Sequence, residues 1–389
     1  MNVPKLRFKE FDDGYNALKL SDVAELTSSK RIYLSDYTDN GIPFYRGKEI
    51  SELKLNKPVS DLLYISDEKY KEIEAKYGVP KENDILVTGV GTLGNIYRIP
   101  NNNKFYFKDG NLIWLKNIKQ NSEYLEYNLE FNKKKLLDSA IGSTQKALTI
   151  AGLNKLSFYY PSTSEQTKVA RTMQLIDIKI NLQSKKIEDL KLFKKGLNKN
   201  IFSNFNAKYK IDELIKEYNQ KTSKNNQFEV LSSTSNGIIL QNEYFNKQAA
   251  SLDNTGYKIV PFGFITYRSM SDTGEFHFNI QNITENGIVS PAYPVFEINE
   301  DIVDKTYFIY YINENKSFKN KILSLKEGGT RYALSMSKFK EINLDLPPLE
   351  YQKKYSKLLN TYNRKIKNEE NKLNKLQELK KGLMQNMFV

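Results

Sequence analysis

The sequence predicts an α+β protein with an internal pseudo-two-fold repeat. Two mostly-β globular domains are joined by two long helices that pair as a coiled coil. Three observations lead there: one long helix written twice, an apolar stripe of coiled-coil spacing within it, and matching turn-strand-proline segments ahead of each copy. The stretches 166–202 and 352–388 lie 186 positions apart and end LKLFKKGLNKNIF and LQELKKGLMQNMF. They share Gln166/Gln352, Lys168/Lys354, Ile180/Ile366, Lys186/Lys372, Leu190/Leu376 and Phe202/Phe388. A repeat this much longer than a solenoid unit means two related halves, each a domain followed by a helix.

The stripe alternates steps of four and three. In the first copy it runs Val169, Met173, Ile176, Ile180, Ile187, Leu190, Leu197, Ile201. In the second it runs Tyr355, Leu359, Tyr362, Ile366, Leu373, Leu376, Leu383, Met387. Polar residues interrupt both copies at matched places, Gln183/Glu369 and Lys194/Lys380. A seam of step 3.5 with a few polar positions is a coiled coil whose register those positions help to set. Each helix would span roughly 55 Å at about 1.5 Å per residue. Spacing alone fits antiparallel pairing, with the domains at opposite ends, and parallel pairing, with the domains side by side.

Ahead of each helix the repeat continues. Gly142-Ser143-Thr144-Gln145-Lys146 leads through LSFYY to Pro161, and Gly328-Gly329-Thr330-Arg331-Tyr332 leads through INLDL to Pro347. Each reads as a glycine turn, a polar segment, a strand and a proline that ends the strand before the helix. Further strands are expected at 84–87, 105–107, 111–115, 262–267 and 295–298, short helices around 66–77 and 210–219, and a loop at 220–227. The expected domains are therefore 1–161, a helix over 162–205, a second domain over 206–348 and a second helix over 349–389.

Composition narrows the function. With no cysteine among 389 residues, disulfides, Cys-based metal sites and thiol nucleophiles are excluded. The start MNVPKLRFKEF lacks the apolar core of a signal peptide, and no run reaches membrane-span length, so a cytoplasmic protein is expected. Net charge is +13, of which the two helical stretches hold +11. A basic chain is a candidate nucleic-acid binder, yet here the globular domains are nearly neutral. The bland reading of the lysines is a solvated helix face.

Catalytic motifs fare poorly. Gly89-Val90-Gly91-Thr92-Leu93-Gly94 fits G-x-G-x-x-G, but the helix that must follow is replaced by Asn95-Ile96-Tyr97-Arg98-Ile99, which reads as a strand after a tight turn. The Walker pattern and the Asp/Asn-Pro-Pro-aromatic tetrapeptide of amino-methyltransferases are both missing. The one histidine, His277, sits between Phe276 and Phe278 and reads as a strand residue.

The opening PKLRFKEF, the DILVTGVGTLG strand-turn, the GST and GGT segments, the YYPSTSEQ and LPPLEYQ helix entries and the two KKGL…F helix ends together resemble the specificity (S) subunit of Type I restriction-modification systems. The likeness covers essentially the whole chain in the family's order; the departure is Tyr351 where the first copy has Glu165. The resemblance implies a non-catalytic reader. Two target-recognition domains would each contact half of a bipartite, asymmetric double-stranded DNA sequence. Antiparallel helices would set the spacing and dock two adenine-methyltransferase (M) subunits, with restriction (R) subunits joining through the complex. S-adenosylmethionine, ATP and Mg would belong to those partners, with no cofactor or metal in this chain. Readers about 34 Å apart would meet one face of the duplex.

Base edges in the major groove want Arg or Lys toward guanine and Asn or Gln toward adenine, on exposed loops. In the first domain the candidates are Arg46, Lys48, Thr88, Thr92, Gln145 and Lys146; in the second they are Arg268, Ser269, Ser271, Thr330, Arg331 and Tyr332. Gln145 and Arg331 occupy equivalent places in the repeat with different chemistry, as readers of unlike half-sites should. Two other classes compete: a fused methyltransferase or nuclease, and a coiled-coil scaffold that binds protein rather than DNA.

Overall fold

The computed structural model describes residues 3–144, 146–202, 207–241, 253–324 and 332–389. It divides into two compact units, Met1–Ser184 with Asn371–Val389, and Lys185–Glu370. Each unit therefore contains one globular domain and half of each long helix.

In the first unit an antiparallel sheet has the order Glu25–Thr27, Leu112–Lys116, Ile85–Thr88, Ile96–Arg98. Its central strands are apolar without alternation because both faces are covered. Ile85, Val87, Ile113 and Leu115 face one core with Val169, Met173, Met387 and Phe388 of the long helices. Leu86, Leu112 and Trp114 face another with Ile50 and Phe107. A second sheet, of order Tyr37–Thr38, Leu63–Ile65, Ile42–Tyr45, Tyr106–Phe107, packs over its own smaller core.

The second unit repeats the plan. Its main sheet runs Ile215–Glu217, Val295–Ile298, Ile265–Tyr267, Phe278–Ile280, again antiparallel throughout. The smaller sheet runs Gly237–Leu240, Glu229–Thr234, Asn286–Val289, Lys258–Pro261. In both units the strand that enters the long helix pairs antiparallel with the first strand of its own domain: Ser157–Tyr160 with Asn16–Lys19, and Asn343–Leu346 with Ala207–Lys210.

The structure corrects two local expectations. The helix expected around 210–219 is a single turn, Ile211–Leu214, after which Ile215–Glu217 joins the sheet. Sequence reasoning also overlooked a helix pair in each unit, Ser122–Phe131 with Lys133–Asp138 and Lys305–Glu314 with Lys316–Ser324. Their N-caps carry the missing signal, since Asn121 accepts from the Tyr124 amide at 2.8 Å and Asp304 from the Tyr307 amide at 2.9 Å.

The long helices span Thr163–Ile201 and Leu349–Met387. They run antiparallel within each unit. Lys380 meets Asp177 at 2.5 Å in the first, and Lys186 meets Glu369 at 3.1 Å in the second. Every seam position is buried or half-buried, except that the Ile201 side chain lies outside the described residues. The repeated glutamines explain how each helix is seated. Gln166 is fully buried; its Oε1 accepts from the Asn121 amide at 3.1 Å and its Nε2 donates to the Pro161 carbonyl at 2.9 Å. Gln352 does the same with the Asp304 amide at 2.9 Å and the Pro347 carbonyl at 2.8 Å. One side-chain amide thus ties the strand exit, the start of the long helix and the cap of the domain helix. Beside it, Arg7 holds fully buried Glu165 in a two-pronged pair at 2.9 and 2.8 Å, and Tyr15 donates to the same carboxylate.

Candidate nucleic-acid interface

In the first unit three segments converge. The turn after strand Ile85–Thr88 is tied to the polar loop through the Leu148 amide, which donates to the Gly89 carbonyl at 2.9 Å. The start of helix Gly47–Lys54 lies against the same turn, with space for a Cβ on Gly47 only 3.7 Å from the Thr88 methyl. Within this cluster the candidate side chains differ sharply in availability. Thr92 and Lys146 are exposed at loop tips. Thr88 is buried, and its hydroxyl donates to the Thr92 carbonyl while accepting from the Asn95 amide at 2.9 Å, so it builds the turn. Arg46 is committed to fully buried Glu49 at 2.5 Å, and Lys48 pairs with Asp61 at 2.8 Å on the surface. Burial alone would raise the Glu49 carboxyl, but bonds from Arg46 and backbone amides prevail and hold it below the usual range. Gln145 lies outside the described residues.

The second unit reuses the frame with other side chains. The Leu334 amide, 186 positions after Leu148, donates to the Ser269 carbonyl at 2.9 Å. Met270–Ser271 pairs with Tyr332–Ala333, which brings Arg268, Ser269, Ser271 and Tyr332 to one edge. Thr330 and Arg331 lie outside the described residues. Ser269 and Ser271 are partly spent on the loop itself, bonding the Ala292 carbonyl at 2.7 Å and the Gly274 amide at 3.0 Å. Arg268 is exposed and has no hydrogen-bond or ion-pair partner among the described residues. The other arginines of the described globular domains are all engaged: Arg7 with Glu165, Arg31 with Asp109, Arg46 with Glu49, and Arg98 with Glu126.

Arg268 opens onto a polar cleft of about 250 Å³. Thr234, Thr273, Glu275 and His277 line it too, and sequence reasoning did not select them. Thr234 ends a strand whose hairpin turn is pinned by Asn279, which donates to the Ser233 hydroxyl and the Thr234 carbonyl at 2.8 Å each. His277 precedes strand Phe278–Ile280 and reaches the cleft. A guanidinium among hydroxyls, an imidazole and the carboxylates of Asp272 and Glu275 offers both donors and acceptors to base edges. Among the described residues no cluster of His, Asp or Glu could hold a metal ion, and no helix is long and apolar enough to cross a membrane.

Two copies of one scaffold presenting unlike polar edges, joined through paired helices, define a duplicated recognition protein. Comparison with known proteins places it. The profile of the Type I restriction modification DNA specificity domain matches twice, at residues 12–192 and 201–378, so the chain belongs to that family of specificity subunits. A candidate MjaX specificity subunit of Methanocaldococcus jannaschii is 23% identical across 98% of this chain and 95% of its own length. A candidate type I specificity subunit of Haemophilus influenzae is 29% identical over 44% of this chain, which spans 42% of that protein. The solved S subunit from M. genitalium superposes with a TM-score of 0.61 at 16% identity, covering 100% of this chain and 99% of that one, a likeness of fold.

Proposed function

We propose that this chain is the non-catalytic reader of a bipartite, asymmetric DNA target, each unit contacting one half, and that its paired helices dock two adenine-methyltransferase subunits. The observation that carries this reading is the shared frame bond, Leu148 to Gly89 and Leu334 to Ser269, around which the side chains differ. One backbone device displays Thr92 and Lys146 in the first unit and Arg268, Ser271 and Tyr332 in the second. Equal scaffolds with unequal hydrogen-bonding groups read unequal sequences. The base-reading assignment favours Arg268, Thr92 and Lys146, whose side chains are exposed, over Arg46 and Thr88, whose groups are spent inside the fold. S-adenosylmethionine, ATP and Mg would be held by methyltransferase and restriction subunits.

The test is co-expression with the cognate methyltransferase in a methylation-free host, followed by mapping of N6-methyladenine. A two-part motif with a fixed gap, lost when this chain is omitted, supports the reading. Methylation indifferent to its presence overturns it and favours the protein-binding scaffold.

A further inference from the structure

The second unit contains a cleft of about 820 Å³ between the first long helix and the helix pair Lys305–Glu314 and Lys316–Ser324. Phe202 and Ile366 give it an apolar floor, and Lys195, Lys316 and Lys319 line it with no acidic partner among the described residues. Its single lining carboxylate, Glu314, is already neutralised by Lys194 at 2.8 Å and also accepts from Asn198. Asn198 is only 8% exposed, and its Oδ1 has no hydrogen-bond partner among the described residues. A buried acceptor left unsatisfied is costly, so it calls for an explanation.

The internal repeat supplies a control. Around this place the two units match contact for contact: Phe202 meets Tyr307 at 5.7 Å as Phe388 meets Tyr124 at 5.3 Å. Lys194 lies 5.5 Å over Tyr310 as Lys380 lies 5.7 Å over Tyr127. Yet where the second unit has Asn198, Glu314 and Lys319, the first has Met384, Phe131 and Leu136. There Leu136 is fully buried, Met384 packs on the core, and Phe131 lies 5.9 Å from Phe388. Folding is thus compatible with an apolar plug, which the second unit replaces by a basic cleft. A partner that docks twice would need the same surface in both halves. Lys195 and Lys316 have counterparts in Lys381 and Lys133, but the Asn198, Glu314 and Lys319 that replace the plug have none, which points to a ligand that binds once.

We infer that the cleft binds a phosphorylated small molecule with a flat apolar body and an N–H donor, the chemistry of a nucleotide. Lysine ammonium groups serve as point charges for phosphate. Concave, mostly apolar cavities of about 300–1,000 Å³ with a few polar groups are the usual form of small-molecule sites. The apolar floor takes the ring system, and the Asn198 side chain offers an acceptor to an exocyclic amine.

The experiment titrates the full chain with ADP, adenosine and pyrophosphate by calorimetry. One-to-one binding of ADP, at least about tenfold tighter than either fragment, is expected. Lys316→Ala/Lys319→Ala should weaken it by about tenfold or more, and Asn198→Met/Glu314→Phe, which installs the first unit's plug, should abolish it with the thermal transition kept. Lys133→Ala, the first unit's counterpart of Lys316, should leave it unchanged. No ADP binding, binding equal to pyrophosphate alone, or binding indifferent to the plug would overturn the inference.

Discussion

Gln166→Ala should destabilise the first unit out of proportion to the size of the group removed. The change deprives the half-buried Asn121 amide at 3.1 Å and the buried Pro161 carbonyl at 2.9 Å at once, and also frees the Gln120 side-chain oxygen. Each of these two backbone groups left unsatisfied costs about 1–3 kcal/mol, so the total comes to about 2–6 kcal/mol before any lost packing. With urea slopes of about 1–3 kcal/mol/M, the midpoint should move by at least about 0.7 M. Hydrogen exchange should place the loss at the start of helix Ser122–Phe131, whose cap is the residue the glutamine holds. Gln352→Ala should repeat the effect at helix Lys305–Glu314, because the geometry there is the same. Gln166→Glu adds a sign. It keeps the acceptor but turns an oxygen toward the Pro161 carbonyl and buries a charge, so it should be at least as harmful at neutral pH. Its loss should shrink as pH falls and the acid protonates, since the neutral form can donate again. A cost below about 0.5 kcal/mol for either alanine variant, typical of surface changes, would refute the argument that these amides seat the long helices.

Other outcomes follow from the same contacts. Arg268→Ala should weaken recognition of the second half-site by about 1–3 kcal/mol while leaving the melting temperature unchanged; equal weakening on unrelated DNA in a binding assay would mark it as a phosphate contact instead. Arg46→Ala should lower stability, because it leaves buried Glu49 without its guanidinium, and a urea titration reads this directly. The depressed Glu49 carboxyl stabilises the fold above its unfolded pKa, near 4.3, and that stability is lost as pH falls through the folded value; Glu49→Gln should flatten that acid limb. Phe388→Ala removes a buried ring stacked 5.3 Å from Tyr124 and should cost about 3–5 kcal/mol in the first unit, measured by thermal denaturation.

The parts of the fold legible in the sequence are those with a period. The seam Val169 to Ile201 and its copy repeat every 3.5 residues, and matched interruptions at Gln183/Glu369 and Lys194/Lys380 reveal duplication where identity is low. Strand Val295–Ile298 and helix Asp67–Tyr77 were also visible, and the structure adds the latter's Ser66 cap. Helices Ser122–Phe131 and Lys305–Glu314 were not, since they are buried on several sides and their tyrosines and phenylalanines mimic strand composition. The proposed recognition edge was legible only as loops. Whether an arginine is free or spent depends on a partner such as Glu49, three residues away in sequence, or Glu126, which folding brings to Arg98.

That distinction bears on how the two halves can diverge. The frame bonds at Leu148 and Leu334, and the glutamines at 166 and 352, use backbone groups or one amide and place no demand on the loop side chains. Reading groups can therefore change without disturbing the seating of the helices. Arg46 shows the opposite case: its guanidinium stabilises a buried carboxylate, so exchanging it alters the fold before it alters recognition. Substitutions that retarget this protein should thus accumulate at positions like Thr92, Lys146 and Arg268, exposed on a frame held from behind. Exchanging those three by saturation mutagenesis should yield folded variants with altered motifs far more often than exchanging Arg46, Thr88 or Gln166. Equal yields from both sets would sever the proposed link between availability and specificity.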